Sequence, residues 1–340
     1  MKSIVLTQPG HFDLVDSPAP AHPERDEVQV RVRQVGICGT DLHAFTGTQP
    51  FFNYPRILGH ELALEVVEIG VTTLQHDLQV GDACCVRPYL NCGVCDACRR
   101  GFENACVQMQ VLGVHRDGGM RELINIPIDK IHKSTLLQDE ELAVVEMLSI
   151  GAHAVWRANI IPGEWVLVVG AGPIGLGVTQ FAHLAGAHVI VMDVNDNRLA
   201  FARRQLEIEH CLDAKQDVLE QLPAVVPDGL PTVVFDATGN AASMMKSFSM
   251  VAHGGRLVFV GLFQGDVTFH DPEFHRRELS LLASRNATAQ DFNQVITALE
   301  AHKINVTPWI THSPSPEQMI RDFSAWLDPA NGVVKAMFSF

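Results

Sequence analysis

The sequence has 340 residues, 47% of them hydrophobic, and a formal net charge of -14 at pH 7. This length exceeds the size at which one hydrophobic core usually stops growing, so two domains are expected. The acidic charge, with no run of lysine or arginine, argues against nucleic acid or an anionic membrane as the main partner. The first residues lack a signal-peptide pattern and no apolar stretch reaches membrane-spanning length, so we expect a soluble cytoplasmic protein.

The N-terminal region alternates apolar and polar residues, which is the period of a half-buried strand. Residues 28–35 read VQVRVRQV, and segments 63–70, 81–86 and 121–126 have the same character. A mainly β domain, built as a barrel or a sandwich, is therefore predicted for this region.

From Gly163 onward, buried strands alternate with helical segments. Residues 165–169 form a continuous apolar run, which is followed by a glycine turn, a helical stretch and a second apolar run at residues 188–192. This order is typical of a parallel sheet with helical crossovers. Further buried strands are predicted at residues 232–235, 256–260 and 279–283.

The predicted fold class is α/β plus β. We expect residues 1–148 and 287–340 to form the β-rich domain, and residues 149–286 to form a doubly wound domain. Residues 287–340 have room for one helix and a few short strands, and we expect them to return to the first domain.

Four cysteines lie close together in the chain, namely Cys92, Cys95, Cys98 and Cys106. Four thiolates at this spacing can surround a zinc ion tetrahedrally and leave no open position, which is typical of a structural site. Local disulfides, or thiols without a joint role, are the alternatives. The lack of a secretion signal favours zinc.

The segment GAGPIG follows the first predicted strand of the middle domain and precedes a helix. In this context a GxGxxG pattern predicts dinucleotide binding, because the glycines permit a tight turn, close approach to a pyrophosphate and close helix packing. The candidate cofactor residues here are Gly170, Gly172, Pro173, Ile174 and Gly175. A merely glycine-rich turn is the alternative.

Asp193 ends the next predicted strand, where a carboxylate would bind the adenosine ribose and repel the 2′-phosphate of NADP. NAD is therefore the expected cofactor. Arg198 would stack on adenine or lie on a solvated helix face. Thr238, Gly261 and Leu262 follow predicted strands at the carboxyl edge of the sheet, where such sheets bind ligands, although plain turns are equally expected there.

A thiol, an imidazole and a carboxylate occur in two separate segments of the N-terminal region, as Cys38 and the pair His60-Glu61. All three residue types ligate zinc in proteins, although a lone cysteine or a lone His-Glu pair is more often structural. Their meaning therefore depends on the other motifs of the chain.

The ordered motifs resemble the medium-chain zinc alcohol dehydrogenase family over the whole chain. They are GICGTDLH at residues 36–43, GHE at residues 59–61, the four-cysteine loop and the glycine loop. The resemblance implies a GroES-like β-rich catalytic domain, a Rossmann cofactor domain, two zinc ions per chain and an NAD-linked oxidoreductase that forms a homodimer or homotetramer.

The resemblance also assigns roles to individual residues. Cys38 and His60 would ligate the catalytic zinc with Glu61 beside it, and Thr40 and His43 would form a proton relay. Glu146 stands where simple alcohol dehydrogenases have a third zinc-binding cysteine, which resembles the sorbitol dehydrogenase branch. Glu146 would ligate directly or through water, and either Glu61 or Glu146 would be the resting ligand.

Segments 49–56, 114–119, 271–275 and 284–288 resemble bacterial dehydrogenases that act on L-galactonate. A secondary hydroxyl of a sugar acid is therefore the expected substrate group. The candidate substrate residues are Phe51, His115, Arg116, Arg285 and Asn286. Arg285, and secondly Arg116, would bind the carboxylate, because a guanidinium binds carboxylates bidentately.

Two other functions remain open at this point. A dehydrogenase acting on a neutral polyol would use the same zinc chemistry with a different pocket. A non-catalytic nucleotide sensor would retain the fold, but the presence of every predicted zinc and relay residue argues against it.

Overall fold

A computed structural model describes residues 1–50 and 52–340 of the chain. Phe51, a candidate substrate residue, lies outside the described residues. Contacts divide the chain into two compact units. Unit 1 comprises Met1–Met147 and Ala287–Phe340, and unit 2 comprises Leu148–Asn286.

The first part of unit 1 consists mainly of strands, as its alternating sequence predicts. The elements are β1 (Lys2–Gln8), β2 (His11–Asp16), β3 (Glu27–Gly36), α1 (Gly39–Thr46), β4 (Glu61–Ile69), β5 (Ala83–Val86), β6 (Tyr89–Leu90), α2 (Asp96–Arg99), β7 (Gln110–Val111), β8 (Leu123–Pro127), β9 (Ile131–Lys133) and α3 (Asp139–Ala158). Helix α3 continues into unit 2.

Unit 2 alternates apolar strands with helices. The elements are β10 (Trp165–Val169), α4 (Pro173–Leu184), β11 (His188–Asp193), α5 (Asp196–Gln205), β12 (His210–Asp213), α6 (Val218–Gln221), β13 (Val233–Asp236), α7 (Ala241–Ser247), β14 (Arg256–Phe259), α8 (Asp271–Arg276) and β15 (Ser280–Ala283). The strands form a parallel sheet in the order β12-β11-β10-β13-β14-β15. Because the chain winds outward in both directions from β10, the predicted doubly wound fold is confirmed.

The last strand of this sheet differs from the prediction in its burial. Residues 279–283 read as a buried strand, but β15 lies at the edge of the sheet, and Leu281 is 39% exposed. An apolar run therefore predicted the strand correctly and its burial wrongly. The sequence alone does not reveal which strand is the edge.

The last part of unit 1 contains α9 (Ala289–Glu300), β16 (Ile310–His312), α10 (Pro316–Asp322) and β17 (Lys335–Phe338). The expectation of a single helix here was wrong, because α10 is a second one. Its start has a recognisable signal: the Ser315 hydroxyl accepts from the Gln318 N–H at 3.3 Å, and the Gln318 side chain accepts from the Ser315 N–H at 3.0 Å. This reciprocal pair is a capping box.

The sheet of unit 1 brings distant segments together. Over the described residues, β17, β3, β4, β5 and β9 are antiparallel neighbours in that order. Gly36 at the end of β3 lies opposite Glu61 at the start of β4, and Met337 of β17 lies on its other side. The segments that follow β3 and precede β4 therefore meet at one end of the strand pair.

Alternating residues of these strands build the core of unit 1. Val28 and Val30 of β3 pack in one cluster with Leu62 and Leu64 of β4 and with Phe338 of β17. Within the described ranges, no helix has both the length and the apolar character needed to cross a membrane.

Helices α3 and α4 approach closely at two glycines of unit 2. A Cβ at Gly151 would lie 2.5 Å from the Gly177 carbonyl carbon and 2.6 Å from the Val178 nitrogen. A Cβ at Gly177 would have its nearest neighbours at 3.8 Å. The backbone of α4 therefore fills the space beside Gly151, whereas Gly177 has room for a methyl group.

We expect Gly151→Ala to destabilise the protein by about 1–3 kcal/mol, because the added methyl group must push two packed backbones apart. Gly177→Ala is the matched control and should be neutral, or stabilising by up to about 1 kcal/mol, because alanine favours the helix. Denaturant unfolding of the two variants measures the difference. Equal stabilities would contradict the close approach.

Candidate functional site

Three candidate ligands meet where β3 ends and β4 begins. Cys38 follows β3 and precedes α1, whereas His60 immediately precedes β4 and Glu61 begins it. The cysteine sulfur, an imidazole nitrogen and a carboxylate oxygen lie within 4.8 Å of one another. The register of the two strands thus gathers residues that are distant in sequence, and we call this set the Cys38 cluster.

The backbone at Cys38 is fixed by Asp41. The Cys38 N–H donates to the Asp41 carboxylate at 2.9 Å, and Asp41 is fully buried. Burial raises the pKa of Asp41, although the His60 charge opposes the shift. Cys38 is the N-cap residue of α1.

His60 is buried among acidic groups. Burial lowers the pKa of His60, but the adjacent Cys38 and the charges of Asp41 and Glu146 raise it, and the net pKa is well above its usual range. The environment therefore favours positive charge at this point. In the described part of the chain, His60 Nδ1 and Glu61 Oε1 are buried without a hydrogen-bond partner. A sulfur, nitrogen and oxygen donor set of this kind fits zinc.

Glu146 projects from α3 and is buried close to the Cys38 cluster. Tyr89 donates its hydroxyl hydrogen bond to Glu146 Oε1. Burial raises the pKa of Glu146, while the charge of His60 lowers it. Glu146 is not among the three residues whose ligand atoms lie within 4.8 Å of one another. Glu61 therefore belongs to the compact set, and Glu146 lies beside it with a partner of its own.

Sequence reasoning assigned no role to three buried residues of this region. They are Asp41, Tyr89 and Lys335. Lys335 contacts the Glu61 carboxylate and donates to the Ile37 carbonyl at 3.0 Å. Asp41 had a recognisable signal, because an acidic residue three positions after a helix cap is typical of a helix start.

The four-cysteine loop forms a second cluster, in which all four sulfur atoms lie within 4.8 Å of one another. The Cys95 N–H points to the Cys92 sulfur at 3.4 Å, and the Cys92 N–H points to the Cys106 sulfur at 3.3 Å. Backbone N–H groups, including that of Cys98, lower the pKa of Cys95 to about 6. Amide donors of this kind stabilise thiolates, which is the form that ligates zinc.

The glycine loop has the backbone that its sequence predicts. Gly170 has a φ of 98°, a left-handed conformation that favours glycine. Gly172 caps α4, with Pro173 in its first turn. A Cβ at Gly175 would clash with the Gly170 carbonyl oxygen. Ile174 follows at the second helical position. Among the described residues no side chain caps the N-terminus of α4, so its backbone N–H groups are open to a phosphate.

Asp193 joins this loop to the end of β11. Its carboxylate accepts from the Ala171 N–H and from the Asn195 N–H, each at 2.7 Å. Arg198 lies 3.8 Å from the same carboxylate. Because each carboxylate oxygen has two lone pairs, Asp193 retains the capacity to accept further hydrogen bonds.

Two turns after neighbouring strands pack against each other at the carboxyl edge of this sheet. The Thr238 N–H donates to Asp236 at 2.9 Å, immediately after β13. A Cβ at Gly261 would lie 2.9 Å from Gly239 Cα, so no side chain fits between the turns. Leu262 is 75% exposed. An exposed apolar side chain at this edge is available to a ligand.

The remaining candidates lie in several places. Thr40 and His43 belong to α1, and His43 is exposed, with Nδ1 at 3.3 Å from the Thr48 hydroxyl. The His115 Nδ1 accepts from the Val111 N–H at 3.1 Å, so a local turn already engages this imidazole.

The two candidate arginines differ in their surroundings. Arg116 lines a cavity of about 200 Å³ together with Glu27, Asp117 and Arg121, and no residue of the Cys38 cluster lines that cavity. Arg285 follows β15 at the carboxyl edge of the sheet and is exposed. Asn286 has a φ of 54°, a left-handed conformation that asparagine tolerates better than most residues.

Comparison with known proteins agrees with this arrangement. Residues 24–136 match the alcohol dehydrogenase GroES-like domain, and residues 173–301 match the zinc-binding dehydrogenase domain. The chain is 43% identical to L-galactonate-5-dehydrogenase of Escherichia coli over 85% of each chain. It is 33% identical to a sorbitol dehydrogenase of Bacillus subtilis over 83% of this chain and 81% of that one.

A solved structure from Escherichia coli, described as the alcohol dehydrogenase rspB complexed with NADH, superposes with a TM-score of 0.91. It is 28% identical and covers 100% of this chain and 99% of that one. The predicted GroES-like and Rossmann folds are therefore confirmed. The chain belongs to the zinc-type medium-chain alcohol dehydrogenase family and is an oxidoreductase that acts on CH–OH groups.

Proposed function

We propose that the chain oxidises a secondary hydroxyl of an L-galactonate-like sugar acid and transfers the hydride to NAD. The Cys38 cluster carries the proposal, because its sulfur, nitrogen and oxygen ligand atoms lie within 4.8 Å of one another. Catalytic zinc sites of this family type use three such ligands and keep one position open. The L-galactonate-5-dehydrogenase relative supports the substrate class.

In this proposal Cys38 and His60, with Glu61 or Glu146, would hold the catalytic zinc. A bound zinc supplies Lewis acidity, which lowers the pKa of a substrate hydroxyl. Thr40 and His43 are three residues apart in α1 and share one face of the helix. A hydroxyl and an imidazole both donate and accept protons, so we assign these two residues to proton transfer toward solvent.

NAD would bind at the glycine loop of unit 2. The open N-terminus of α4 suits the pyrophosphate, and the spare lone pairs of Asp193 suit the ribose hydroxyls. Arg198 would lie over the adenine. The turns at Thr238 and at Gly261-Leu262 would flank the nicotinamide.

A neutral polyol is the second candidate substrate, and the sorbitol dehydrogenase relative favours it. Steady-state assays with NAD across sugar acids and polyols test the function. Higher kcat/KM for sugar acids supports the proposal, whereas a clear preference for polyols returns the chain to the second candidate.

Metal content tests the assignment of the two clusters. We expect two zinc ions per chain in wild-type protein and one in each of Cys38→Ser and Cys95→Ser. Cys95→Ser should lose stability, because a closed four-thiolate site contributes folding energy, whereas Cys38→Ser should remain folded and lose activity. Fully active wild-type enzyme with one zinc or none would contradict the assignment.

Cofactor preference tests the role of Asp193. We expect wild-type enzyme to favour NAD over NADP, and Asp193→Asn to narrow that preference by about tenfold or more, or about 1.4 kcal/mol, by removing the charge that faces the 2′-phosphate. The asparagine keeps one oxygen that can accept from the Ala171 N–H, so the substitution removes mainly the charge. Equal or higher kcat/KM with NADP in wild-type enzyme would show that Asp193 does not select the cofactor.

Substrate charge tests the role of Arg285. Arg285→Ala should raise KM for sugar acids, because it removes one charge-assisted hydrogen bond, which contributes about 1.5–3 kcal/mol of binding free energy. KM for neutral polyols should change less. Arg285→Lys keeps the charge and should lose less than Arg285→Ala. Equal losses for acids and polyols would remove Arg285 from carboxylate recognition.

A further inference from the structure

A lysine from the last strand reaches the Cys38 cluster. Lys335 begins β17 and is 2% exposed, and its ammonium donates to the Ile37 carbonyl at 3.0 Å and contacts Glu61 Oε2. Removing an ammonium from water costs several kcal/mol unless it is paired and hydrogen-bonded. Lys335 therefore depends on both partners, one of which adjoins Cys38 in the chain.

The strand between these partners leaves space for the contact. A Cβ at Gly36 would clash with Glu61 Oε2 and would lie 3.3 Å from Lys335 Cε. Gly36 of β3 also lies opposite Glu61 of β4 on one side and opposite Met337 of β17 on the other. The ammonium and the carboxylate thus meet across β3 at a residue without a side chain.

The Glu61 carboxylate lies between the Lys335 ammonium and the ligand atoms of Cys38 and His60. One carboxylate oxygen lies within 4.8 Å of the ligand atoms of Cys38 and His60, and Oε2 contacts Lys335. A carboxylate held by an ammonium is a weaker metal ligand than a free one, because ligation must compete with the ion pair.

We propose that Lys335 is a positioning residue that competes with the catalytic metal for the Glu61 carboxylate, so that Cys38, His60 and Glu146 hold the metal and Glu61 does not close the coordination position that the substrate needs. This inference rests on the proposed function, because it requires a metal ion at the Cys38 cluster. In this proposal Lys335 determines whether Glu61 ligates the metal or leaves a coordination position open.

A merely structural role for Lys335 predicts the opposite effect on the metal. If the lysine only ties β17 to its neighbours, its removal loosens the cluster and releases zinc faster. If it competes for Glu61, its removal frees Glu61 to ligate, and zinc is retained longer while turnover falls. The sign of the change in zinc retention therefore distinguishes the two roles.

The experiment measures the rate at which a chelator removes zinc from the zinc-loaded full chain, together with kcat. Two zinc ions per chain should be released in two kinetic phases. The phase that is missing in Cys38→Ser is the release of zinc from the Cys38 cluster. We expect Lys335→Met to release this zinc at least about tenfold more slowly than wild type. We expect kcat to fall by a similar factor, because a change of this size corresponds to the loss of one charge-assisted hydrogen bond. Lys335→Arg keeps the charge and should behave nearly as wild type.

Lys133→Met is the matched control, because Lys133 forms an ion pair with Asp77 away from the cluster. It should change neither zinc release nor kcat. If Lys335→Met does not fold, Lys335→Gln replaces it, because an amide is polar enough for this buried position and lacks the charge. The same slower release is expected.

Zinc release at the wild-type rate or faster from the folded Lys335 variant would overturn the inference. In a Glu61→Gln background, Lys335→Met should change zinc release by less than about twofold, the usual limit for independent sites. A larger change would also overturn it, because Lys335 would then act other than through Glu61. If wild-type protein holds no zinc that Cys38→Ser removes, the proposed function itself fails.

Discussion

The antiparallel register of β3 and β4 is the constraint on which the Cys38 cluster depends. Gly36 lies opposite Glu61, so the cysteine after one strand and the histidine before the other meet at the same end. Leu62 and Leu64 face the core, whereas Glu61 alternates to the other face. A slip of one residue would point Glu61 into the apolar core and turn Leu62 and Leu64 toward the face that carries the ligands, so hydrophobic packing fixes the geometry of the ligands.

Features that are local in sequence could be predicted from the residues alone. The four cysteines close on one another within a single loop, and the GAGPIG turn lies between a strand and a helix as predicted. The Cys38 cluster was different, because nothing in the spacing of Cys38 and His60 requires them to meet. The family resemblance supplied that link. Lys335 was missed because 298 residues separate it from Ile37, and a lysine is rarely buried.

The fold was predictable to a similar degree. Apolar runs predicted β10, with its observed bounds, and also β11, β13, β14 and β15. They did not predict β12, and apolarity did not identify β15 as an edge strand. The capping-box residues Ser315 and Gln318 are recognisable in the sequence, but α10 was not predicted from them. The roles of the two domains, the cytoplasmic location, the homo-oligomeric state and the substrate roles of Phe51, His115 and Arg116 stay predictions.

The discontinuity of unit 1 has a consequence for how the cluster is completed during synthesis. The chain emerges N-terminus first, so Cys38, His60 and Glu61 are made before the whole of unit 2, and β17 is made after it. Until then Glu61 lacks the ammonium that it contacts in the finished fold. A nascent chain that acquires metal early would therefore do so with an unrestrained carboxylate, and the arrival of the last strand would be the event that reopens the site.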